Sequence, residues 1–248
     1  MRKKNIAKKY FLGVGILYLN KPFRLEGTEN DILELNTFFD SKYKFDKSII
    51  ITDNSVLKPT KATIMNNFKD VISELKSGDT FIFAYSGHGR RLSDNNNDET
   101  DGIDEYIFTS DEQNILDDEI HSLLQKIPVG VKTILIFDAC YSSSLSDLPY
   151  SYTTKNIVNN SKKLESSIFS ISSSLDSQVS YELLNKSGQI RGALIQGLLY
   201  VLSQKNDILT YKKLILELRK YMNLRNLSQI PTLSSSKSFI WFDTQFLS

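Results

Sequence analysis

The chain carries one cysteine, Cys140, and two histidines, one of which is His88. Cys140 directly follows the apolar run Thr133-Ile134-Leu135-Ile136-Phe137-Asp138-Ala139. His88 follows a matching run, Thr80-Phe81-Ile82-Phe83-Ala84-Tyr85, across Ser86-Gly87. A thiol and an imidazole at the ends of two similar strands are the components of a Cys–His nucleophilic pair. A lone cysteine usually serves as a small buried hydrophobe. The shared setting with His88 favours chemistry instead. The other histidine, His121, falls on a helix, where it is expected to face solvent or a polar contact without a catalytic role.

A second group is acidic. Between Asp94 and Glu119 there are eleven Asp or Glu residues and no Lys or Arg. Asp94, Asn96, Asp98, Thr100 and Glu105 have the spacing of EF-hand ligands. The sharp turn of that motif needs Gly at its sixth position, where Glu99 stands, and no helix precedes the loop. The EF-hand reading is therefore set aside.

The elements that must position these residues follow from periodicity. Tyr10–Tyr18, Ser48–Thr52, Thr80–Tyr85, Lys132–Asp138, Ser167–Ser172 and Ser238–Phe242 read as strands. Thr28 is placed to cap a helix bearing Ile32, Leu35, Phe38 and Phe39 on one face. Thr60 caps a second, with Ile64, Met65, Phe68, Val71, Ile72 and Leu75 at helical spacing and Gly78 as its stop. Asp117-Asp118-Glu119 opens a third that runs through Ile127, negative charge suiting that end. Two more lie near Gly192–Ser203 and Thr210–Met222. The aromatic residues, Trp241 among them, read as core. Apolar strands alternating with amphipathic helices predict an α/β fold, a mostly parallel sheet covered on both faces. Ligands in such folds bind outside the carboxyl ends of the strands. That edge brings His88 and Cys140, 52 positions apart, within reach of each other. The Ser-, Asn- and Lys-rich stretch from about 142 to 167 reads as a mobile surface loop inside a single domain spanning 1–248.

Bulk properties narrow the function classes. The 248 residues are 40% hydrophobic with a net charge of +1, an ordinary globular profile. There is no basic stripe for nucleic acid and no apolar run near the ~20 residues a membrane span needs. Tyr10 to Leu19 reads better as a strand than as a signal peptide. One cysteine excludes an internal disulfide and fits a reducing, cytoplasmic setting.

The ordered set of motifs resembles the metacaspases, caspase-like cysteine peptidases. It comprises Gly27-Thr28-Glu29-Asn30-Asp31, Tyr85-Ser86-Gly87-His88-Gly89, Asp101-Gly102-Ile103-Asp104-Glu105 and Asp138-Ala139-Cys140-Tyr141-Ser142. It continues through Ser172 to Tyr181, Gly192-Ala193-Leu194 and Gln229-Ile230-Pro231-Thr232-Leu233-Ser234. The resemblance implies a caspase-like three-layer sandwich and a monomer. It implies Cys140 as nucleophile and His88 as acid and base. The N–H groups of Gly89 and Cys140 would stabilise the oxyanion, and a nearby imidazolium would lower the thiol pKa. It further implies protein or peptide substrates cut after Arg or Lys, held by Asp31, Ser86 and Asp138. Carboxylates suit a cationic side chain. It also implies a regulatory Ca²⁺ ion held by Asp104, Asp117, Asp118 and Asp147, since carboxylate oxygens suit a hard cation.

Three departures from the family pattern stand out. Tyr141-Ser142-Ser143 replaces His-Ser-Gly after the nucleophile, Thr28 replaces a cysteine common before the pocket aspartate, and no leader precedes what reads as a bare catalytic domain. The altered 141–143 segment supports an alternative in which the chain is a non-catalytic caspase-like module that binds a protein partner. Lys155, Lys162 and Lys163 lie in the expected mobile loop.

Overall fold

A computed structural model describes residues 6–93, 103–153, 155–158, 163–174, 182–184, 188–204 and 209–247. In chain order its elements begin with β1 (Lys9–Gly15), α1 (Thr28–Tyr43), β2 (Lys47–Thr52), α2 (Lys61–Glu74) and β3 (Thr80–Ser86). A hairpin and third strand follow, β4 (Gly89–Ser93), β5 (Ile103–Phe108) and β6 (Asn114–Leu116), then α3 (Asp117–Leu124) and β7 (Lys132–Asp138). The second half holds β8 (Tyr150–Tyr152), β9 (Asn156–Val158), β10 (Ser167–Ser172), β11 (Glu182–Leu184) and β12 (Ile190–Gly192). It ends with α4 (Ala193–Gln204), α5 (Tyr211–Leu224), β13 (Thr232–Ser235) and a 3₁₀ helix, Phe239–Asp243.

The main sheet has the order β2-β1-β3-β7-β10-β13-β8-β9. Its first five strands pair in parallel, and β13 joins antiparallel to β10. The parity of the strands divides the core in two. Phe81, Phe83 and Tyr85 of β3 and Leu135 and Phe137 of β7 pack with α2 and α3 through Phe68, Ile120 and Leu124. Ile82 and Ala84, with Ile134 and Ile136, pack with α1, α4 and α5 through Ile32, Leu198 and Leu214. Continuous apolar strands are needed because both faces are covered. This is the three-layer arrangement expected. Among the described residues no helix is long and apolar enough to cross a membrane.

Sequence and structure differ in several places. The 142–167 stretch contains two strands, β8 and β9, which extend the main sheet beyond β13. The last sheet strand is Thr232–Ser235, not 238–242. Its polar residues gave no periodic signal. They are buried all the same, and Ser234 Oγ donates to Ser151 Oγ on β8 at 3.3 Å. The apolar 238–242 run forms the 3₁₀ helix, burying Phe242 but leaving Ile240 and Trp241 exposed, so Trp241 is not core. His121 is buried on α3, so of its two expected settings the solvent-facing one does not hold. Thr28 is the first residue of α1 rather than its cap, which is Gly27. The Thr60 cap is as expected, its side chain accepting from the Thr63 N–H.

Candidate active site

The strand register assembles the site. Ser86 and Asp138 are partners across β3 and β7. His88 and Cys140 therefore lie two residues beyond the ends of adjacent parallel strands, at their carboxyl edge. The two chains then run in backbone contact. Gly87 N–H donates to the Asp138 carbonyl at 3.3 Å. A Cβ built at Gly89 would fall 2.0 Å from the Cys140 carbonyl oxygen. Only a residue without a side chain permits that approach.

His88 is fixed on every side. Its N–H donates to Tyr18 Oη at 2.9 Å, and its carbonyl accepts from Tyr85 Oη at 2.8 Å and from Phe108 N–H at 3.0 Å. Tyr18 Oη in turn donates to the Phe108 carbonyl at 2.7 Å. The imidazole packs against the rings of Tyr18 and Phe23, with centroids 4.7 and 5.7 Å away. Its Nε2 lies 2.7 Å from the Phe23 carbonyl oxygen. A carbonyl can only accept, so Nε2 carries the proton, and Nδ1 is the basic atom of the neutral ring. Burial pushes the His88 pKa down, against the opposing pull of the Phe23 carbonyl. Cys140 is partly exposed. The residue after it, Tyr141, has a left-handed φ of 52°. The missing family glycine at Ser143 does not fall on a left-handed position.

The three pocket candidates meet on one face. Ser86 and Asp138 share the strand parity of Ile82, Ala84, Ile134 and Ile136, the side facing α1 and α4. Asp31 stands in the first turn of α1. Ser86 Oγ donates to Asp31 Oδ2 at 2.8 Å, and Gly192 N–H donates to both oxygens of Asp31 at 3.0 Å. Ile195 N–H, in the first turn of α4, donates to Asp138 Oδ2 at 3.1 Å. Both carboxylates are buried. The positive ends of α1 and α4 offset part of the cost. Burial and then the Asp138 charge nevertheless push the Asp31 carboxyl well above its usual range. Gly192 is required here as well, because a Cβ would collide with the Asp138 carboxylate.

The acidic residues are partly gathered. Asp117 is buried and accepts from Glu105 N–H at 2.9 Å and from Asp118 N–H at 2.8 Å. Its carboxyl is pushed up to about 6, first by burial and further by the charges of Asp104 and Asp118. Asp147 lies on the loop after Cys140, with a left-handed φ of 44°. Among the described residues no group of three or more His, Cys, Asp or Glu side chains is close enough to hold an ion. Asp94, Asn96, Asp98, Thr100, Asp101 and Gly102 of the acidic stretch lie outside the described residues, as do Lys162 and the 175–181 part of the Ser172–Tyr181 motif.

Sequence reasoning missed the supporting groups. Tyr18, the Phe23 carbonyl and the Ile195 N–H carry no local signal, because each depends on where a distant loop comes to rest. Gly192 belongs to a recognised motif, but its contact with two carboxylates became evident only in three dimensions.

A family model described as the metacaspase, peptidase C14 domain, matches residues 8–149. A metacaspase-1 of Schizosaccharomyces pombe is 33% identical over 197 residues, 76% of this chain and 45% of its own. A metacaspase-1 of Coccidioides immitis is 35% identical over 161 residues, 61% of this chain and 35% of its own. The chain thus spans less than half the length of these curated relatives. Among solved structures, a Geobacter sulfurreducens protein superposes with a TM-score of 0.69 at 20% identity, covering 96% of this chain and 97% of that one. The Drosophila initiator caspase Dronc superposes with a TM-score of 0.62 at 16% identity, covering 96% of this chain and 81% of its own. The fold is caspase-like.

Proposed function

The chain belongs to the metacaspase family of cysteine peptidases, and from that membership we propose that it is an endopeptidase cutting protein substrates after Arg or Lys through His88 and Cys140. The observation that carries the reading is the backbone approach of Gly89 to Cys140 at the ends of paired strands. In this mechanism His88 Nδ1 takes the thiol proton, and the thiolate attacks the scissile carbonyl carbon. The N–H groups of Gly89 and Cys140 stabilise the oxygen that becomes negative. The intermediate collapses as imidazolium protonates the leaving amine. His88 then deprotonates a water that hydrolyses the thioester, restoring the thiol. The Phe23 carbonyl supports this by fixing the tautomer.

Asp31, Ser86 and Asp138 support a basic side chain on the acyl side of the cut. Two carboxylates crowded enough to raise a pKa would welcome a desolvated cation. The same logic extends to calcium as a regulator. Asp104, Asp117, Asp118 and Asp147 would be drawn together to hold it, and the ion would relieve the repulsion that Asp104 and Asp118 exert on Asp117. It would act on the order of the loops and take no part in bond cleavage. A cytoplasmic location and a monomeric state complete the proposal. The deciding experiment compares cleavage of Arg-, Lys- and Asp-terminated reporter peptides, with calcium and with chelator, beside Cys140→Ala. Cleavage that survives Cys140→Ala, or that favours Asp, refutes it.

A further inference from the structure

The hairpin after His88 and the chain after Cys140 are joined by side chains outside the dyad and the pocket. Glu105, on β5, is buried, and its two carboxylate oxygens engage different segments. One lies 3.0 Å from Arg91 Nε on β4. The other accepts from Ser144 Oγ at 2.7 Å. Arg91 and Glu105 are register partners across the hairpin. The Arg91 guanidinium also lies over the Tyr141 ring, 4.7 Å from its centroid. A guanidinium is drawn to a ring face by the ring's quadrupole, and a buried carboxylate is costly unless it is paired with a cation and hydrogen-bonded. The chain leaving Cys140 is thus held at two points, Tyr141 and Ser144.

The backbone gives the hold a purpose. Tyr141 sits at a φ of 52°, a region that strains a residue with a Cβ and persists only where its surroundings impose it. Relaxation there would rotate the peptide that joins Tyr141 to Cys140. We propose that Arg91 and Glu105 are positioning residues that clamp Tyr141 and Ser144 and thereby hold Cys140 opposite His88. The proposal deepens the peptidase reading and rests on Cys140 being its nucleophile. Tyrosine at 141, where the family pattern has histidine, supplies the ring face the clamp uses.

The test compares Tyr141→Leu, Tyr141→Phe and Arg91→Lys with the parent. Two readouts are needed: kcat and KM on an Arg reporter peptide, and the rate at which iodoacetamide labels Cys140 at pH 7, followed by mass. Tyr141→Leu should lose about tenfold in kcat with KM nearly unchanged, and should change the labelling rate by about threefold, since small misplacements of a reacting group are costly. Tyr141→Phe keeps the ring face and should match the parent in both. Arg91→Lys keeps the charge but loses the planar stack, and should resemble Tyr141→Leu. If Tyr141→Leu does not fold, Arg91→Lys carries the test alone. Leucine and lysine variants that behave like the parent overturn the clamp, as does a phenylalanine variant that loses as much as leucine. Labelling needs no turnover. A parent with no peptidase activity, or hydrolysis surviving in Cys140→Ala, would therefore refute the dyad while the labelling comparison still judged the clamp.

Discussion

Gly89→Ala is the sharpest single perturbation of the dyad. A Cβ there would lie 2.0 Å from the Cys140 carbonyl oxygen, and real Cβ atoms essentially never come closer than 3.0 Å to a neighbour. The obstacle is backbone, so no side-chain rotation relieves it, and the two loops must part by about 1 Å. A 1 Å displacement of reacting groups costs on the order of 100-fold in rate. The accompanying overpacking costs about 1–3 kcal/mol of stability. The assay is kcat on an Arg reporter peptide together with equilibrium unfolding in urea. Gly197→Ala is the control, because it crowds Tyr221 in the seam between α4 and α5, away from the dyad. It should change stability and leave kcat within about twofold. If Gly89→Ala keeps kcat within about threefold of the parent, the His88 and Cys140 loops are not in the tight register on which the mechanism depends.

Other consequences can be checked directly. Cys140→Ala should abolish hydrolysis with little loss of thermal stability, read by scanning calorimetry, since the cysteine is partly exposed. Asp138→Ala should cost Arg and Lys reporters about 2–5 kcal/mol in kcat/KM; an equal effect on an uncharged reporter would assign Asp138 to helix capping instead. Tyr18→Phe removes the acceptor for His88 N–H and a donor to Phe108, and should destabilise by about 1–3 kcal/mol in urea unfolding; an unchanged midpoint would leave the network without energetic weight. The Asp117 carboxyl is raised from 3.8 to about 6 in the folded state. Its contribution to stability is therefore present at low pH and lost as pH rises through about 6. Calcium should restore that loss, so the calcium-induced rise in thermal midpoint should be larger at pH 7.5 than at pH 5. Equal rises, or none, would remove Asp117 from the calcium set.

The parallel strands were legible because burial on both faces forces continuous apolar runs. The β7 and β10 boundaries agree with the structure residue for residue. The approach of the segments carrying His88 and Cys140 was legible for the same reason: a strand end fixes where its next residues go. What escaped were elements whose stability is not written in apolar periodicity. β13 is a strand of Thr, Leu and two Ser, one of which, Ser234, bonds through its hydroxyl to Ser151 on β8. β8 and β9 are three residues each; β8 pairs with β13, and β9 pairs only with β8. The 238–242 run misled in the opposite sense, since apolar character alone does not separate a strand from a short helix.

The pocket residues show how far spacing reaches and where it stops. Ser86 and Asp138 share a face because both lie an even number of residues from Ile82 and Ile134, a relation visible in the sequence once the strands are paired. Asp31 joins them only because α1 packs on that same face and brings its first turn to the strand ends. Helix termini make such a group of carboxylates tolerable, for Gly192 and Ile195 turn their N–H groups onto Asp31 and Asp138. These donors also limit what the carboxylates can do. Each oxygen bonded to the backbone is less able to approach a substrate, while the mutual repulsion that raises the Asp31 pKa remains. A basic side chain entering the pocket would therefore gain by neutralising a repulsion that the amides only partly offset. An uncharged one would leave it in place, and an acidic one would add to it. The proposed preference for Arg or Lys thus rests on how this chain stabilises two neighbouring acids, and it would weaken if either acid were lost.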